Sequence, residues 1–99
     1  MFGKILCIEQ GEYVRESRCA VLKYSGFDAS SASPRFAEIV LRGREYDLIV
    51  LSGLSDFDLQ RIIGLADGAE VLVLDAFTMP REVLSLVAER LDLDRLLKA

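Results

Sequence analysis

Asp47-Leu48-Ile49-Val50-Leu51 is the stretch that decides the fold. After its opening aspartate it is continuously apolar and partly β-branched, so the strand it predicts has no polar face. A strand buried on both sides belongs in the middle of a parallel sheet with helices above and below.

The flanks agree with this. Downstream, Ser55-Asp56-Phe57-Asp58 reads as a helix N-cap with an acid three residues on, a weaker form of the capping box. Leu59, Ile62, Ile63 and Ala66 then form an apolar face, and Asp67-Gly68 stops the helix. Val71-Leu72-Val73-Leu74 is a further strand, apolar on both sides. Met79-Pro80 opens a last helix with Val83, Leu84, Val87, Ala88 and Leu91 facing inward. Asp92 is expected to break it and to cap a short final turn from Leu93 to Lys98.

Upstream, Ser33-Pro34 starts a helix, with serine as N-cap and proline at the first helical position. Phe36, Ile39, Val40 and Gly43 give its i, i+3, i+4, i+7 face. Phe27 to Ala32 is a weak strand. Gly11 to Tyr24 is helical, with Val14, Val21 and Leu22 on one side, and it ends at Ser25-Gly26, where the glycine suits a left-handed C′ position. Ile5-Leu6-Cys7-Ile8 is another buried strand. The order β-α-β-α-β-α-β-α predicts one α/β domain over residues 1–99. It is a doubly wound parallel sheet with helices on both faces, its topology limited by right-handed crossovers.

Composition narrows the function classes. The chain has 99 residues, 52% apolar and 28% charged, enough for one core and too apolar for disorder. No apolar run approaches the ~20 residues of a bilayer-spanning helix. No signal peptide is read at the N-terminus. Two cysteines, Cys7 and Cys19, are too few for a disulfide framework, so a cytoplasmic location is expected. The absence of histidine removes Ser-His-Asp and Cys-His catalysis and most catalytic metal sites. With 12 basic against 16 acidic residues the net charge is −4, and the excess acid lies in residues 51–99. That opposes the positive footprint that nucleic-acid binding needs. Neither nucleic acid nor membrane is expected as a partner.

Ligand chemistry in such sheets sits at the carboxyl ends of the strands. The residues there include Glu9 and Gln10, Ser52 and Gly53, and Asp75. Around them the chain resembles a response-regulator receiver domain. Lys4-Ile5-Leu6-Cys7-Ile8-Glu9-Gln10 is similar to the receiver's first strand, which ends in two acids. The spacing through Leu22 to Gly26-Phe27 matches its first helix and exit. Tyr46-Asp47-Leu48-Ile49-Val50-Leu51-Ser52 is similar to its third strand, with Ser52 at the phospho-acceptor aspartate position. Ala76-Phe77 and Pro80-Arg81-Glu82-Val83-Leu84 resemble the last strand exit and final helix.

The resemblance implies a flavodoxin-like fold and a signalling role, and the departures from it qualify the chemistry. Receiver phosphorylation uses a carboxylate nucleophile, further acids for Mg²⁺, a hydroxyl and a lysine. Ser52 cannot form an acyl phosphate, Gln10 replaces one acid, and only Asp75 stands where the lysine would be read. Glu9, Gln10, Ser52 and Asp75 are therefore expected to form a vestigial phosphorylation pocket without metal or other cofactor. A non-phosphorylatable module acting by protein–protein interaction follows. The alternative is a small enzyme or atypical phosphoacceptor working from Ser52, although a serine needs a base and no histidine is present. Cys7, inside its strand, reads as a small buried hydrophobe rather than a nucleophile.

A receiver has five βα units and this chain offers four. The expected sheet order is 2-1-3-4, with the last strand as an edge. An apolar edge must be covered or paired. A homodimer is therefore expected, built from the last strand and last helix, with Val71, Val73, Leu86, Leu93 and Leu96 as interface candidates. A final turn from Leu93 to Leu97 folding over the edge is the competing arrangement.

Overall fold

The computed structural model describes residues 3–75 and 77–98, with side chains as far as Leu91. The elements are β1 (Lys4–Glu9), α1 (Glu12–Tyr24), β2 (Asp28–Ala32), a 3₁₀ turn (Pro34–Phe36) running into α2 (Ala37–Leu41), β3 (Leu48–Ser52), α3 (Asp56–Leu65), β4 (Glu70–Val73) and α4 (Pro80–Lys98). All three strand pairings are parallel and the order is β2-β1-β3-β4. This is the doubly wound sheet expected from the sequence.

Each β1 and β3 residue points to the opposite face from its neighbour, so one apolar run feeds two cores. On one face Ile5, Cys7, Leu48, Val50 and Leu72 pack with Cys19 and Leu22 of α1 and with Val83, Val87 and Leu91 of α4. On the other, Leu6, Ile8, Ile49 and Leu51 pack with Ala37 of α2 and Ile62 of α3. The closing helix α4 thus shares a face with α1. Ser55 caps α3 as read, its Oγ accepting the Asp58 N–H at 3.1 Å.

Three local readings are corrected. The α2 face is Ala37, Val40 and Leu41; of the expected face Val40 packs inward, while Phe36, Ile39 and Gly43 are exposed, Ile39 at 69%. Proline opens a 3₁₀ turn of three residues per turn, which rotates the stripe relative to a 3.6-residue period. On α3, Ile63 is 45% exposed while Leu59, Ile62 and Ala66 face the core. Asp92 does not break the last helix, which runs unbroken to Lys98, so no separate final turn forms. A mid-helix aspartate costs well under ~1 kcal/mol in propensity, too little to stop a helix already anchored by its inward face.

Among the interface candidates, Val73 is 53% exposed on the sheet edge. Val71 is half-buried against the α2–α3 core, and Leu86 packs on the α1–α4 core of its own domain. The side chains of Leu93 and Leu96 lie outside the described residues. Among the described residues no helix is long and apolar enough to cross a membrane.

Candidate functional site: a pocket filled by Arg18

The carboxyl ends of β1 and β3 meet in register, Glu9 beside Ser52. Both are buried, Glu9 at 7% exposure and Ser52 at 4%. The Ser52 hydroxyl donates a hydrogen bond to Glu9 Oε2. The other carboxylate oxygen, Oε1, accepts the Gly11 N–H at 3.2 Å. Gly53 follows β3 with φ +62°, and a Cβ there would overlap the Glu9 carboxylate. Glycine is needed at this position both for the left-handed backbone and for the space.

A residue that the sequence reading passed over completes the pocket. Arg18 of α1 is 6% exposed. Its Nη1 donates to Ser52 Oγ and stands 3.6 Å from Glu9 Oε2, and its Nη2 donates to the Asp75 carbonyl at 3.2 Å. One planar guanidinium thereby joins α1, β1, β3 and the loop after β4. From the same helix, Arg15 Nη1 donates to the Glu9 carbonyl at 2.9 Å. The signal for Arg18 was available. It stands four residues after Val14 and four before Leu22, on the inward stripe of α1, where an unpaired cation would be costly.

The other two expected pocket residues behave differently. Gln10 is exposed. Asp75 is exposed too, and its carboxylate accepts the Phe77 N–H at 2.8 Å across its own turn. Asp75 contributes a backbone carbonyl to the pocket, not its acid group. The structure therefore brings Glu9 and Ser52 together and leaves the side chains of Gln10 and Asp75 outside.

The donor set does not fit the Mg²⁺ that the receiver fold implies. Mg²⁺ takes carboxylate, phosphate and water oxygens in a tight octahedron at about 2.0–2.1 Å. Here a single carboxylate faces inward, and its oxygens are already engaged by Ser52, Gly11 and the adjoining guanidinium. Among the described residues no group of three metal-ligating side chains gathers.

Two further features adjoin the pocket. A groove of about 250 Å³ opens between α1 and the β4–α4 connection, lined by Tyr13, Val14, Phe77, Met79 and Val83, with Arg18 in its wall. Below the pocket, Cys7 and Cys19 are buried free thiols. Burial pushes the Cys7 thiol up to about 12, with Cys19 adding to the rise and Arg18 opposing it. A thiol held protonated by burial is a poor nucleophile, in keeping with a small buried hydrophobe.

No protein-family model and no curated protein matches the chain. Solved structures do. NtrX from Brucella abortus aligns with a TM-score of 0.70 at 12% identity, over 99% of this chain and 28% of that one. The signal receiver domain of a signal transduction histidine kinase from Syntrophus aciditrophicus aligns with a TM-score of 0.64 at 17% identity, covering 91% of this chain and 90% of that one. The chemotaxis protein CheY4 of Vibrio cholerae aligns with a TM-score of 0.61 at 14% identity, covering 87% and 96%. This chain thus spans little more than a quarter of the NtrX chain. At these identities the likeness concerns the backbone, and with the β2-β1-β3-β4 order it gives the chain the fold of a response-regulator receiver domain.

Proposed function

We propose that this chain is a pseudo-receiver: a cytoplasmic signalling module that acts through protein–protein contact and is not switched by phosphorylation. The observation that carries this is Arg18. A guanidinium that is always charged lies against the Glu9 carboxylate and bonds Ser52, the residue at the expected acceptor position. The charge that a divalent cation would supply is already present. Ser52 working as a nucleophile is disfavoured for the same reason: its hydroxyl is 4% exposed and engaged by both Glu9 and Arg18.

Self-association as a homodimer through the last strand and last helix belongs to the same reading. It is supported by an edge strand, β4, with an exposed valine, Val73. Partners of other kinds are expected to be proteins rather than nucleic acid or membrane, given the acidic second half of the chain.

The test is to add beryllofluoride and Mg²⁺ to the isotopically labelled protein and follow its amide resonances. The expected result is no change. Shifts centred on Ser52, Gly53 and Asp75 would overturn the reading.

A further inference from the structure

Among the described residues, strand β4 pairs with β3 on one side and with no strand on the other. The Leu74 N–H donates to the Leu51 carbonyl at 2.7 Å. Successive residues in a strand turn their amides to opposite edges, so Leu72 also faces β3, while Val71 and Val73 turn N–H and C=O to the open side. An open row of this kind is a template for another strand.

The row is not fully open. Arg90 of α4 reaches it, its Nη1 donating to the Val71 carbonyl at 3.1 Å and to Glu70 Oε1 at 2.6 Å. An added strand would lie about 4.8 Å from β4 and would place its own N–H where that guanidinium nitrogen now sits. Glu70 holds Arg90 in place as a half-exposed ion pair.

We propose that the β4 edge pairs antiparallel with the same edge of a second copy of this chain, and that Arg90 holds this surface partly closed. The second copy is the fitting occupant because the edge is self-complementary. A twofold axis at Leu72 sets Val71 opposite Val73 of the other copy, and each presents the N–H and C=O that the other lacks. The exposed Val73 side chains would then be covered together. Arg90 has to give up the Val71 carbonyl for this to happen, which limits pairing to a reversible, concentration-dependent dimer. The inference deepens the self-association reading above and rests on it for the surface involved.

The experiment is sedimentation of the full chain from micromolar to near-millimolar concentration as wild type, Arg90→Met and Arg81→Met. Methionine keeps the stem and the helix propensity while removing the donor. Arg81, exposed on the same helix, controls for the lost charge. The expected result is a dimer about a hundredfold tighter for Arg90→Met, the worth of two charge-assisted hydrogen bonds, one from each copy, no longer surrendered. Arg81→Met should match wild type. The Val71 and Val73 amides of Arg90→Met should gain exchange protection as concentration rises. Arg90→Met no tighter than wild type, or tighter without that protection, overturns the proposal. A monomeric wild type beside a dimeric Arg90→Met removes the wild-type homodimer and keeps the closed edge. A dimeric wild type unmoved by Arg90→Met does the reverse, and two monomers remove both.

Discussion

The Arg18 guanidinium lies 3.6 Å from the Glu9 carboxylate in a pocket closed to solvent, with Ser52 bonded to both. Buried ion pairs of this kind contribute little over a well-packed apolar substitute, yet breaking one by removing a single partner is expensive. The geometry therefore bears more on which state the domain holds than on how stable it is.

Arg18→Met should destabilise the fold by about 3–5 kcal/mol, because Glu9 is left charged and unpaired in the interior. Glu9→Gln with Arg18→Met should regain most of that loss. Chemical denaturation of both single variants and the double one closes the cycle. Additive losses would show that the two side chains are not coupled.

Ser52→Asp should not create a Mg²⁺ site. The new carboxylate meets Arg18 at once, and Gln10 still points into solvent. Calorimetric titration with Mg²⁺ should stay silent for the variant as for the parent. Heat with one-site saturation would show that the guanidinium yields to the metal.

Gly53→Ala should cost more than Gly43→Ala. Both glycines have positive φ, +62° and +72°, so both substitutions strain the backbone by about 1 kcal/mol or more. Only at Gly53 does the added methyl meet a buried carboxylate, whereas at Gly43 nothing stands within 4 Å. Equal denaturation midpoints would show that the Glu9 side chain moves aside freely.

The Cys7 thiol sets a pH dependence. Burial raises it from 9.0 to about 12. The unfolded thiol begins to lose its proton near pH 9, while the folded one keeps it until about 12. In that window the folded state binds more protons, so stability falls as pH rises. Denaturation on either side of pH 9 should show a smaller fall for Cys7→Ala than for wild type. Identical slopes would place the thiol in contact with water.

The strands were legible because a residue run buried on two faces has few disguises, and β1 and β3 carry such runs. Glu9 and Ser52 could be paired from strand ends alone, since parallel register brings like ends together. The α2 stripe was misread because proline imposed a 3₁₀ turn that shifts the phase of every later residue. Arg18 was missed for a different reason. Periodicity counts apolar residues, so a cation standing on the inward stripe drops out of the pattern that defines the stripe. Its partners lie 9 and 34 positions away, beyond anything local spacing can reveal. Asp75 was assigned by strand position, but its carboxylate had a nearer donor in the Phe77 amide.

A counter-ion attached by the backbone differs from one drawn from solution. Its effective concentration at Glu9 is fixed by the fold, so occupancy follows no binding isotherm and no chelator can empty the site. On the pseudo-receiver reading, divalent-ion levels, phosphodonor supply and chelation, which set the population of a metal-dependent switch, have no handle on such a pocket. What remains adjustable is the number of copies present, and an edge that pairs by mass action would convert that number directly into an assembly.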